Sequence, residues 1–213
     1  GPIVEKFEKN IASYFGSKYC CAVSSGTAAL HLIGLALNWG KSDVILTSPI
    51  TFLASANSIV YSRATPDFID IDPLTYNIDL NQLEEKVLSY KNQDKKIKAV
   101  IAVDYAGNPC DWRSLRYLAD KYEFILINDN CHSMGSEYLQ DNKYAVKYAD
   151  LVAQSYHPVK HFTTGEGGSV LTNNKELDEK IRLLRTHGMT KDKSIIGDKK
   201  GQWYYEMHEV GYN

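Results

Sequence analysis

Leu151-Val152-Ala153-Gln154-Ser155-Tyr156-His157-Pro158-Val159-Lys160-His161-Phe162-Thr163-Thr164-Gly165-Glu166-Gly167-Gly168 joins an apolar, β-prone run to a glycine-rich turn, with a lysine between them. The run 151–154 predicts a short buried strand, and 168–172 predicts another. The lysine therefore sits at the edge of a folded core beside a tight loop. An amine shed of some of its water loses its proton more readily, and a free amine can join a carbonyl carbon as a Schiff base. Gly165-Glu166-Gly167-Gly168 loosely resembles a dinucleotide-binding loop, but it precedes a strand instead of linking a strand to a helix. It reads as a turn that shapes the lysine loop.

Outward from this stretch, strands and helices alternate. Helical patterns cover 4–14, 27–38, 52–62, 81–90, 111–121 and 175–185. Strands are predicted at 20–23, 44–47, 99–103 and 124–127, with a strand and turn at 66–72. This alternation implies an α/β fold, a three-layer sandwich around a mainly parallel sheet. The polar run 91–96 reads as a solvated loop. The polar stretch 190–205 reads as a mobile loop near a substrate or a partner subunit.

Two further features bear on the lysine. Asp129 follows the strand 124–127 in Asn128-Asp129-Asn130-Cys131-His132-Ser133. Open α/β sheets place ligands at the carboxyl ends of their strands. A carboxylate there would keep a pyridinium nitrogen protonated, since an opposite charge favours the charged form. Taken alone, Asp129 reads equally well as a turn cap. Ser24-Ser25-Gly26-Thr27-Ala28-Ala29-Leu30 follows the strand 20–23 and opens a helix. Free amides at a helix N-terminus suit a phosphate, although a single such turn is also an ordinary N-cap. A lysine, an acid and a phosphate cradle are together what pyridoxal 5'-phosphate (PLP) requires of a protein.

Val23 to Leu30, Asp104-Tyr105-Ala106-Gly107-Asn108-Pro109-Cys110-Asp111, Asp129 to His132, and Ser155 to Gly168 resemble, in order, the DegT/DnrJ/EryC1/StrS aminotransferases. That family aminates keto sugars attached to nucleotides with PLP on a fold type I large domain. Ser48-Pro49-Ile50-Thr51-Phe52, Val103-Asp104-Tyr105-Ala106-Gly107 and Gly135-Ser136-Glu137-Tyr138 are similar to the branch making UDP-4-amino-4,6-dideoxy-N-acetyl-altrosamine, a pseudaminic acid precursor.

The resemblance implies roles. Lys160 would be the Schiff-base lysine and proton shuttle, and Asp129 the partner of the pyridine nitrogen. Gly26 and Thr27, beside Ser25, would bind the phosphate through backbone amides, and Ser155 through its hydroxyl. Phe52 would cover one cofactor face and Cys131 would lie on the other. His132 would stand near the ring hydroxyl. Asn213 would reach the phosphate of a neighbouring subunit's cofactor, so a homodimer with shared sites is implied. An amino-acid donor, glutamate above all, would leave its amino group on pyridoxamine phosphate for a nucleotide-linked 4-keto-6-deoxy sugar. Asn128-Asp129-Asn130-Cys131 departs from the family's usual Glu-Asp-Ala-Ala while keeping the aspartate.

Composition bounds the reading. With 44% hydrophobic residues, 213 residues suffice for one buried core, and a net charge of -2 leaves no electrostatic footprint for nucleic acid. No apolar run approaches a bilayer span. Cys20, Cys21, Cys110 and Cys131 lack metal-type spacing and suit a reduced, cytoplasmic protein. His157 and His161 flank the lysine without an acidic residue at metal-binding spacing. Relatives continue beyond both ends, so 1–213 is expected to be the large domain without its N-terminal segment and its small C-terminal domain. Rival readings are another fold type I PLP enzyme, a PLP-binding regulator without turnover, and an inert truncated half-domain.

Overall fold

The computed structural model describes residues 1–191, 196 and 203–213. Helix α1 (Pro2–Phe15) leads into strand β1 (Tyr19–Val23), followed by α2 (Gly26–Ala36), β2 (Val44–Thr47), α3 (Ala54–Tyr61), β3 (Thr65–Phe68) and α4 (Leu80–Lys91). Then come β4 (Ile97–Val103), a 3-10 turn (Tyr105–Gly107), α5 (Trp112–Tyr122), β5 (Ile125–Asp129), α6 (Tyr144–Tyr148), β6 (Leu151–Ser155), β7 (Gly168–Thr172) and α7 (Lys175–Leu184). Two short strands, β8 (Met189–Thr190) and β9 (Glu206–Met207), pair with each other.

Local chemistry explains the helix ends. Ser25, Asp79, Asp111 and Asn174 each accept a backbone N–H from the first turn that they cap. Proline opens α1, where its missing N–H costs nothing, and Gly16 closes it in the left-handed region at φ 72°.

Seven strands form one sheet in the order β1-β7-β6-β5-β4-β2-β3. From β6 to β3 every pairing is parallel, and β7 runs antiparallel to both neighbours. The alternation of side chains along each strand divides the core in two. Val100, Ala102, Leu126 and Val152 face α1, α4, α5 and α6. Ala99, Ile101, Ile127 and Ala153 face α2, α3 and α7 on the other side. The expected three-layer, mainly parallel α/β sandwich is what forms.

Four local expectations change. Strand β5 runs on to Asp129, because Asn128 and Asp129 stay in register with Ala102 and Val103 of β4; their polarity looks like a turn in sequence. Helix α3 starts at Ala54, so Phe52 lies in the loop before it. The five-residue α6 is too short to show a helical period. Of the expected loop 190–205, residues 192–195 and 197–202 lie outside the described residues, while Thr190 at its start pairs with Glu206 just beyond its end.

Candidate active site

The carboxyl ends of β1, β5 and β6 open on one side of the sheet into a cavity of about 790 Å³. Ser25, Gly26, Thr27, Phe52, Asp129, His132, Ser155 and Lys160 all line it. Every residue that the sequence nominates is present except Asn213.

The first turn of α2 is built for an anion. Ser25 Oγ accepts the Ala28 N–H at 3.0 Å and so serves as the cap. The Gly26 and Thr27 amides have no protein acceptor among the described residues. A methyl group on Gly26 would stand 2.8 Å from Ser155 Cβ and 3.1 Å from Cys131 Sγ, so only glycine lets this turn close against β5 and β6. A methyl group on Gly168 would overlap the Ser25 carbonyl.

Asp129 ends β5 almost fully buried. Its Oδ2 accepts the Ser55 hydroxyl at 2.7 Å, and its Oδ1 accepts the Cys131 N–H at 3.3 Å. Among the described residues no cation forms an ion pair with it. A buried carboxylate without a protein cation suits a cationic ligand group. Burial pushes the Cys131 thiol well above its ordinary range, and the Asp129 charge pushes it the same way. Cys131 is therefore a neutral wall, not a nucleophile. Burial, then the neighbouring Lys160 charge, lowers the pKa of His132 against a smaller opposite pull from Asp129. The imidazole is neutral at neutral pH.

Lys160 is half-buried on the turn after β6, with its N–H bonded to the His157 carbonyl at 2.9 Å. The loop closes on Tyr156. Its N–H reaches the Gly167 carbonyl at 2.8 Å, and its carbonyl accepts the Thr164 N–H at 3.1 Å and the Thr163 hydroxyl at 2.9 Å. Gly165 takes the required left-handed turn at φ 84°. Phe162 folds back onto Tyr156 and Phe7, with ring centroids 5.6 and 6.4 Å away. The glycine-rich turn thus shapes the lysine loop, as its sequence suggests. His157 has an acidic neighbour that linear spacing hides: its Nε2 is 3.8 Å from Glu166 Oε1. Among the described residues no group of three His, Cys, Asp or Glu side chains could hold a metal ion.

A polar hub lies beneath the strand ends. The fully buried Asp104 carboxylate accepts Cys110 N–H, Trp112 Nε1–H, Asn128 Nδ2, Asn130 Nδ2 and the Tyr144 hydroxyl at 2.7–3.2 Å. Burial pushes its carboxyl upward while these donors pull against it. Asn130, the departure from the family's alanine, also accepts from Gln154 of β6. It is a bonded link between strands.

Sequence reasoning missed Ser55, which looks like any small helical residue, and it missed Tyr105 and Glu166 as cavity walls. Asn213 is exposed and does not line its own chain's cavity. Tyr212 before it is anchored by its N–H to the Leu184 carbonyl at 2.6 Å and by edge packing on His31, centroids 4.8 Å apart.

A profile of the DegT/DnrJ/EryC1/StrS aminotransferase family matches residues 1–213. A UDP-4-amino-4,6-dideoxy-N-acetyl-β-L-altrosamine transaminase of Campylobacter jejuni is 42% identical over 213 residues, covering all of this chain and 53% of the relative. Among solved structures, Helicobacter pylori PseC, an aminotransferase of pseudaminic acid biosynthesis, superposes with a TM-score of 0.82 at 33% identity, over 97% of this chain and 52% of its own. Bacillus subtilis NtdA with bound cofactor PMP superposes with a TM-score of 0.82 at 30% identity, over all of this chain and 44% of its own. The chain spans about half the length of the curated relatives that it matches. With the lysine loop, the strand-end aspartate and the serine-glycine-threonine turn meeting in one cavity, and with a family match along its whole length, the chain belongs to the DegT/DnrJ/EryC1/StrS aminotransferases.

Proposed function

We propose that this chain is the PLP-binding large domain of a nucleotide-sugar aminotransferase. It moves an amino group from an amino acid, glutamate above all, to a nucleotide-linked 4-keto-6-deoxy sugar. The observation that carries this reading is the meeting of three features in one cavity: the Gly26 and Thr27 amides, unbonded among the described residues, the buried Asp129, without a cation partner among them, and Lys160. Each is the chemical complement of one part of PLP, namely its phosphate, its ring nitrogen and its aldehyde.

Bound PLP supplies a carbonyl carbon that captures amines and a ring that accepts electrons. The protein's part is positioning and proton transfer. Gly26 and Thr27 hold the phosphate with the α2 dipole behind them, and the Ser155 hydroxyl adds a donor. Asp129 keeps the ring nitrogen protonated. Phe52 and Cys131 both line the cavity and would flank the ring on its two faces. His132, also on the cavity wall, would offer an uncharged hydrogen-bonding edge to the ring hydroxyl. The Lys160 amine would be placed to anchor the cofactor and, when free, to move a proton at the α-carbon of the amino-acid donor.

The reading includes a homodimer, in which the exposed Asn213 would serve the partner's site. Exposed Ile50, Phe52, Leu53 and Tyr61 supply apolar surface for such a contact. No described helix is long and apolar enough to cross a membrane; the free, largely buried cysteines suit a reduced cytoplasmic setting.

The test is PLP titration followed by borohydride. The unsubstituted protein retains cofactor covalently after reduction, and mass spectrometry places it on Lys160. Lys160→Ala retains none. Cofactor trapped equally in Lys160→Ala would overturn the assignment. Adding UDP-keto-sugar and glutamate then separates sugar amination from amino-acid chemistry alone.

A further inference from the structure

We propose that Thr51 and Ser55 form a hydroxyl relay that positions and polarises Asp129, an inference resting on the cofactor reading above. Ser55 is fully buried in the first turn of α3. Its Oγ–H donates to Asp129 Oδ2 at 2.7 Å, and its oxygen lies 3.0 Å from Thr51 Oγ1. A hydroxyl has one proton to give. Ser55 gives its proton to Asp129, so Thr51 must be the donor in the second bond. Each O–H group then donates in the direction of the carboxylate. Hydrogen bonds in series in a low-dielectric interior strengthen one another, and bonds to a charged acceptor are the stronger kind.

The relay is held from behind and is open in front. The Ser58 hydroxyl donates to the Ser55 carbonyl at 2.9 Å, and the Ser62 hydroxyl donates to the Ser58 carbonyl at 3.0 Å. These bonds fix the first turn of α3 in the buried layer. At the other end Thr51 lines the cavity. Among the described residues, Asp129 is thus tied at Oδ2 by a short bond and at Oδ1 only by the longer Cys131 N–H contact at 3.3 Å. Oδ1 keeps acceptor capacity, and Ser55 decides which oxygen has it. Ser55 and Thr51 are positioning residues that act through Asp129.

The experiment uses the purified protein, inorganic phosphate, and PLP enriched in ¹⁵N at the ring. Ser55→Ala is expected to bind PLP about tenfold more weakly, the effect of one lost charge-assisted hydrogen bond. The ring-nitrogen signal moves toward its unprotonated position. Ser55→Thr, which keeps the hydroxyl, restores both. In an Asp129→Asn background, Ser55→Ala adds nothing, since the two act as one unit. Phosphate binding is the same in all variants. PLP affinity and ring signal unchanged in Ser55→Ala would overturn the relay and leave the cofactor reading intact. An unsubstituted protein that binds phosphate but no PLP overturns both. If Ser55→Ala does not fold, Thr51→Val carries the test: a smaller shift of the ring signal in the same direction is expected, and no shift sinks the relay.

Discussion

Gly26 shows how much of this site depends on one missing methyl group. The α2 turn approaches β5 and β6 so closely that a Cβ would crowd both Ser155 and Cys131. Gly26→Ala is therefore expected to cost about 1–3 kcal/mol through overpacking and to push the Thr27 amide off its line. Urea unfolding reads the first effect and inorganic phosphate titration the second. Full phosphate affinity in this variant would mean that the cradle lies elsewhere. Lys160, Asp129 and this glycine stand out in sequence because each is a residue type suited to a chemical task at or just beyond a strand end. Ser55 is not legible. Nothing local marks a helical serine whose partner lies 74 residues away, and only folding supplies the acceptor.

Helices α1 and α7 show the same division one level up. Both are readable from their periodicity, yet what joins them is not. Glu8 of α1 is buried, with Oε1 accepting Ala22 N–H at 2.9 Å and Arg185 at 2.6 Å, and Oε2 accepting Arg182 at 2.8 Å. Arg185 also donates to the Ala22 carbonyl at 2.7 Å. This clasp covers the outer edge of β1, which would otherwise expose unpaired backbone groups, and fixes the strand that feeds the α2 turn. Burial pushes the Glu8 carboxyl up, but bonds from Arg182, Ala22 and Arg185 hold it below its ordinary value. A carboxyl lowered in the folded state stabilises above its unfolded pKa and loses that contribution as pH falls through the folded one. Glu8→Ala is expected to cost about 3 kcal/mol at neutral pH. The gap to the unsubstituted protein narrows below about pH 4. Chemical denaturation at several pH values checks this, and a pH-independent gap would contradict it.

In the proposed reading a shared site would make the assembly the functional unit. In the reading above, Lys160 belongs to one subunit and Asn213 to the other. Lys160→Ala and Asn213→Ala should each be inactive alone. Unfolded together and refolded as a mixture, they form dimers of which half are mixed, each with one intact site. About a quarter of the unsubstituted activity should return, as two-fold symmetry requires. No recovery with dimers formed would place Asn213 outside the partner's site.

The alternation of the main strands and helices, the three-layer architecture and the candidate lysine, acid and phosphate turn were legible in the sequence. Each rests on a local signal: side-chain period, capping chemistry, or glycine where the backbone must turn. The tertiary structure alone decided how the buried polar groups pair. Asn130, unexplained in linear order, joins Asp104 just after β4, Tyr144 of α6 and Gln154 of β6. His157 gains Glu166, and Asp129 gains Ser55. Such pairings depend on strand order, which brings β4, β5 and β6 side by side although they are separate in the chain. A residue's type announces that it needs a hydrogen-bond partner; the packing of the sheet determines which partner it meets.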